Sequence, residues 1–125
     1  MKMIHAQNAP KAVGPYSHGV LANGFLFVSG QIPINPETGK IESTEADKQA
    51  QQSLKNIEAI VLAAGGTKES IVKVNIYTTC LEKFAQINAV YAGFFGDHLP
   101  ARAAVGVAAL PAGALVEIEA VAFIA

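Results

Sequence analysis

From His98 to the C-terminus the only formally charged side chains are Arg102, Glu117 and Glu119, set in stretches otherwise made of small and β-branched residues. Charged groups in such company are solvated, paired, or held for a purpose. The planar fork of an arginine can grip a carboxylate through two parallel hydrogen bonds, and a glutamate beside the held molecule could orient or deprotonate a water. A two-residue period puts Glu117, Glu119, Val121 and Phe123 on one face of a strand and Val116, Ile118, Ala120, Ala122 and Ile124 on the other. Two readings follow. Either this face is solvated and Arg102 makes a structural ion pair with one glutamate, or the face belongs to a substrate site that needs only one of the two carboxylates.

Asn88 shares a helical stripe with Phe84, Tyr91 and Phe95, which sets an amide in an apolar face where it must find a partner, backbone or ligand. Ser29 precedes Gly30 at a strand end, a place from which a hydroxyl or backbone amides can be aimed at a ligand. No G-x-S-x-G elbow is present, and no motif places His5, His18 or His98 as the base for a serine nucleophile. The chain also lacks G-x-G-x-x-G and G-x-x-x-x-G-K-[ST], the usual cradles for dinucleotides and nucleoside triphosphates. Cys80 stands alone without a C-x-x-C or Cys/His cluster, so it reads as a small buried side chain, and no metal site is expected.

The elements that must position these residues follow from periodicity and turn chemistry. Ser17 to Ala22 and Phe25 to Ser29 flank Asn23-Gly24, a pair suited to the type I′ turn of a hairpin. Thr44 with Asp47 three residues on opens a helix along Ala46, Ala50, Leu54, Ile57, Val61 and Ala64, and Gly65-Gly66 closes it. Ile71 to Thr79 reads as a strand, about Glu82 to Phe95 as a second helix, and Ala101 to Ala108 and Val116 to Ile124 as buried strands joined through Leu110-Pro111-Ala112-Gly113. This order predicts an α+β fold, two helices packed on one face of a mixed sheet.

The 125 residues are enough for one globular domain, expected over 1–125. Only 15% of them are charged, against roughly 25% in ordinary soluble domains, which points to a homo-oligomer whose surface is partly buried between copies. Nine Lys and Arg against ten Asp and Glu leave no basic field, so nucleic acid is not expected as a partner. The apolar runs are broken by Gly, Pro and polar residues, and the N-terminus lacks the build of a signal peptide, so neither a membrane partner nor export is expected. With one cysteine, a reducing, cytoplasmic location fits.

Gly14-Pro15-Tyr16-Ser17, Ser29-Gly30-Gln31-Ile32-Pro33, Asn88-Ala89-Val90-Tyr91, Pro100-Ala101-Arg102 and Glu117-Ile118-Glu119-Ala120, taken in this order, resemble the Rid (YjgF/UK114-type) reactive intermediate deaminases over nearly the whole chain. The resemblance implies a chorismate-mutase-like fold and a homotrimer with ligand clefts between subunits. It implies hydrolysis of 2-imino acids and their 2-enamino tautomers, released by pyridoxal-phosphate-dependent dehydratases, to 2-oxo acids and ammonia, with no cofactor. Arg102 would bind the substrate carboxylate and Glu119 the attacking water, while Tyr16, Ser29 and Asn88 line the cleft and Glu117 is structural. Many relatives carry Cys where this chain has Ala104, so a thiol role is absent and contacts there fall to the backbone. Gly106 and His18 also depart from the family pattern, the latter from a common Gln. Two other readings remain: a regulatory trimer that binds small carboxylates without turnover, and the ribonuclease or translation inhibitor of older family descriptions, against which the charge balance argues.

Overall fold

The structure is a computed structural model and describes residues 1–124. A short strand β1 (Lys2–Ile4) pairs with β2 (Gly19–Ala22), and β2 turns back into β3 (Phe25–Gln31). The turn is the expected one: Asn23 at φ 52° and Gly24 at φ 81° supply the two positive dihedrals of a type I′ hairpin. A small hairpin of β4 (Ile34–Asn35) and β5 (Lys40–Ile41) follows; neither it nor β1 has an alternating pattern long enough to announce a strand.

Helix α1 (Ala46–Ala63) buries Ala46, Ala50, Leu54, Ile57, Ile60 and Val61, essentially the anticipated stripe. Its start differs from expectation, because Thr44 caps nothing. Glu45 is the N-cap, and Ser43 does the local work: its Oγ accepts the Glu45 N–H at 3.0 Å and its carbonyl accepts Gln49 Nε2 at 2.8 Å. At the other end Gly65 turns to φ 93°, which lets its N–H reach the Leu62 carbonyl and the Gly66 N–H the Val61 carbonyl, both at 3.0 Å.

Strand β6 (Ile71–Thr78) leads through a 3₁₀ turn at Leu81–Lys83 into α2 (Phe84–Phe95), and from there to β7 (Ala101–Gly106) and β8 (Val116–Phe123). The sheet order is β1-β2-β3-β8-β6-β7, with β6 and β7 parallel and the other neighbours antiparallel. Both helices lie on one face. There Leu26, Val28, Val74, Ile76, Val116, Ile118, Ala120 and Ala122 meet the apolar sides of α1 and α2. Polar side chains of α1 fasten the loops beside the site: Asn56 Nδ2 donates to the carbonyls of Ile32 and Ile34, and Gln49 Oε1 accepts the Leu115 N–H at 2.7 Å.

The opposite face is bare, with Phe25, Phe27 and Phe123 exposed along β3 and β8. Strand β7 was expected to be buried, yet all six of its residues are exposed. It is the sheet's edge, hydrogen-bonded only to β6, and its small side chains reflect room rather than enclosure. Ile118, fully buried on the central strand, is the residue whose truncation tests this packing. Ile118→Ala is expected to destabilise the fold by about 2–5 kcal/mol, read as a lowered urea midpoint at fixed protein concentration.

Candidate active site

The alternation of β8 delivers Glu117 and Glu119 to the bare face, as expected. Glu119 stands opposite Asn75 of β6 and Glu117 opposite Tyr77. Both partners turn to the same acceptor: Asn75 Nδ2 donates to Glu119 Oε2 at 3.0 Å and the Tyr77 hydroxyl donates to it at 2.7 Å. On the other side, Val28 pairs with Ala120 but Gln31 with Ile118, so Ser29 and Gly30 together oppose the single residue Glu119. This is a β-bulge, a device that bends a strand and redirects its side chains. The Glu117 carboxylate lies over the bulge, where a Cβ on Gly30 would fall 2.7 Å from Glu117 Oε2.

Burial first, and the Glu119 charge second, push the Glu117 carboxyl above its ordinary value. The Tyr77 phenol is raised as well, chiefly by its hydrogen bond to Glu119, with burial and the two carboxylates adding to it. Phe27, Lys73, Asn75, Glu119 and Val121 line a hollow of about 180 Å³ on this face.

Ser29 is tied to the preceding loop: its hydroxyl donates to the Ser17 carbonyl at 2.7 Å and its N–H to the His18 carbonyl at 2.9 Å. Tyr16 stands exposed at the head of that loop, its N–H bonded to the Gly14 carbonyl at 2.9 Å. His18 is buried and lines a hollow with His5, Gln7 and Lys11. Its Nδ1 accepts the Ala6 N–H at 2.9 Å, which assigns the ring proton to Nε2, placed 2.7 Å from the Pro10 carbonyl. The ring clamps the N-terminal segment to the hairpin.

Arg102 lies on the other side of the sheet. It pairs in register with the buried Val74, so its side chain rises toward α2, where Nη1 donates to Asn88 Oδ1 at 2.6 Å. The guanidinium carbon sits 4.8 Å from the Tyr91 ring centroid and 5.3 Å from that of Phe84, a cation held against two π-faces. Asn88 is exposed at the margin of the apolar stripe rather than within it, and its partner is this arginine rather than backbone. The Tyr91 hydroxyl is buried with no hydrogen-bond partner among the described residues. Ala104 and Gly106 follow Arg102 on the same side of β7, opposite Ile76 and Thr78, leaving the strand open beside the guanidinium.

A structural ion pair between Arg102 and a glutamate is therefore not what the fold builds. Among the described residues the one ion pair is Lys48–Glu45 at 3.2 Å. Nor does one chain bring Arg102 and Glu119 together, since they occupy opposite faces of the sheet. The sequence-predicted residues form two groups: Arg102, Asn88 and Ala104 between β7 and α2, and Glu119, Ser29 and the Tyr16 loop across β8 and β3. Reasoning from sequence missed Asn75, Tyr77 and the aromatic backing of Arg102. The alternation Lys73, Asn75, Tyr77 along β6 was the available signal, three polar-tipped side chains on one face of an otherwise apolar strand. Among the described residues no three His, Cys, Asp or Glu side chains gather as metal ligands would.

A mixed sheet carrying two helices on one face, with a carboxylate on its bare side and an arginine at its edge, belongs to the chorismate-mutase-like proteins of the YjgF/Rid kind. The profile of the family described as Endoribonuclease L-PSP matches residues 6–124, and the chain belongs to that family, the YjgF/RidA family. It is 47% identical over 124 residues to the Escherichia coli (strain K12) 2-iminobutanoate/2-iminopropanoate deaminase, spanning 97% of this chain and 96% of that protein. A Lactococcus lactis relative described as a regulator is 43% identical, spanning 98% of this chain and 97% of its own. Among solved structures, E. coli TdcF with bound serine superposes with a TM-score of 0.95 at 44% identity, all of both chains being covered.

The raised Glu117 carboxyl carries a stability consequence. Between the ordinary carboxyl value and the raised one, the folded chain holds more protons than the unfolded chain, so wild-type stability falls as pH rises through that window. Glu117→Gln removes the fall. Its urea midpoint relative to wild type is expected to be higher at pH 7 than at pH 4, and an offset that does not change with pH would refute the assignment.

Proposed function

We propose that this chain hydrolyses 2-imino acids and their 2-enamino tautomers to 2-oxo acids and ammonia, in clefts formed where the subunits of a homotrimer meet. The observation that carries the reading is the Arg102 guanidinium, exposed at the sheet edge, with one N–H occupied by Asn88 and its plane backed by Tyr91 and Phe84. Such a group keeps donors free for a planar carboxylate and loses little freedom on gripping it. The 47% identity to the E. coli imine deaminase supports the choice of substrate. Separation of Arg102 from Glu119 within one chain, together with the bare apolar face, supports a cleft completed by Glu119 of the partner subunit. Tyr16, Ser29 and the Ala104 backbone would complete its lining.

In this reading Arg102 fixes the substrate carboxylate and thereby the imine carbon. Glu119 orients a water and takes one of its protons as the oxygen–carbon bond forms and the C=N π pair moves onto nitrogen. That proton passes to the nitrogen, the remaining hydroxyl gives its own to the Glu119 carboxylate, and the C–N bond breaks to leave the 2-oxo acid and ammonia, which takes the proton back from Glu119 as ammonium. The atoms balance with water alone. A protonated imine is already electrophilic, so positioning supplies most of the help and no cofactor is needed. Such imines arise wherever a dehydratase releases an enamine, and we place the chain in the cytoplasm with those enzymes. Among the described residues no helix is long and apolar enough to cross a membrane.

The test is ammonia release from 2-iminobutanoate generated in situ by a threonine dehydratase. Wild type is expected to accelerate it, and Arg102→Ala to lose roughly ten- to a hundredfold in kcat/KM, the worth of charged hydrogen bonds to a carboxylate. Arg102→Lys should recover only part of the loss, because an ammonium lacks the planar fork. A folded wild type that binds 2-oxobutanoate without accelerating imine decay would favour the regulatory reading. The family description as an endoribonuclease gives a separate control, in which binding to RNA is expected to be absent at 50 mM as at 200 mM salt.

A further inference from the structure

We infer that Tyr77 and Asn75 are positioning residues for the water-activating carboxylate, and that their shared grip on Glu119 Oε2 is what separates the roles of the two glutamates on β8. The inference rests on the deaminase reading and adds to it the residues that aim the base. Glu117 and Glu119 sit two residues apart on the same face of the same strand, so backbone placement alone does not distinguish them. Their donors do. Glu119 receives a phenolic hydroxyl at 2.7 Å and an amide at 3.0 Å on one oxygen, whereas Glu117 lies over the Cα of Gly30 and receives neither.

With Oε2 committed to two donors, the rotation that would exchange the Glu119 carboxylate oxygens is resisted, and Oε1 is the oxygen left to face a water. The phenol is suited to the task because its own ionisation is displaced upward, so it remains a donor through the neutral range. The charged and titratable groups around this carboxylate are Glu117 on its own strand and Lys73 and Tyr77 on β6; the β3 side contributes Phe27, Ser29 and Gly30, none of them charged.

Tyr77→Phe keeps the ring and removes the hydroxyl, and Asn75→Ala removes the amide. In the full-length protein, with folding checked by circular dichroism, each is expected to lower kcat about tenfold with KM nearly unchanged, since neither side chain lies on the Arg102 side that holds the substrate carboxylate. A merely structural role would not lower kcat while leaving KM in place. Active wild type with kcat undiminished in folded Tyr77→Phe and Asn75→Ala overturns the positioning assignment alone. Inactive wild type overturns the deaminase reading, and with it the catalytic part of the assignment.

Discussion

Because β8 lies between β3 and β6, its two-residue alternation has to satisfy two environments at once. Val116, Ile118, Ala120 and Ala122 must fill the space under α1, and the residues between them are then committed to the other face whatever their polarity. Slipping the register by one residue would drive two carboxylates among the aliphatic side chains under the helices, at a high desolvation cost. The core thus fixes where the glutamates stand more firmly than any polar contact does. The bulge at Ser29–Gly30 and the side chains of β6 are adjustments made around that fixed strand.

What those adjustments achieve is unequal treatment of two like groups. Adjacent carboxylates on a half-buried surface oppose each other's ionisation, and a fold can leave the conflict or break the symmetry. Here it is broken. Two donors converge on Glu119, while Glu117 is set over a glycine, where the missing Cβ makes room for it without solvating it. The upward displacement of Glu117 is the electrostatic result, burial contributing more than the neighbouring charge.

Much of this arrangement is legible in the chain. The Asn23-Gly24 hairpin, the stripe of α1, the close at Gly65 and the alternation of β8 are local patterns whose physics acts within a few residues, and each stands where it was expected. The helix start was misplaced because Thr44 is a good cap by type, whereas the N-cap is Glu45, which caps with no side-chain hydrogen bond, and the approach is fixed instead by Ser43 and the reach of Gln49 to its carbonyl. The exposure of β7 escaped notice for a different reason: small apolar residues describe a buried strand and an open edge alike, and strand order is not a local property. Site residues divide the same way. Arg102 and the glutamates stand out as isolated charges, whereas the partnerships Arg102–Asn88 and Glu119–Tyr77 span 14 and 42 residues and depend on which strands become neighbours.

Placing the arginine and the carboxylate on opposite faces looks at first like a defect for the proposed hydrolase, but it follows from how little core a chain of this size has to offer. The helix-covered face can hold Arg102 only at its margin, where the guanidinium lies against Phe84 and Tyr91 and still reaches solvent. The bare face can hold Glu119 only because nothing apolar covers it within the same chain. In the proposed trimer the two demands are met by different subunits, so that each protomer keeps a dry core and the cleft gathers both charges at a boundary. A composite site of this kind ties catalysis to assembly: an isolated chain would retain the arginine with its asparagine and the carboxylate with its tyrosine, each well positioned and neither within reach of the other.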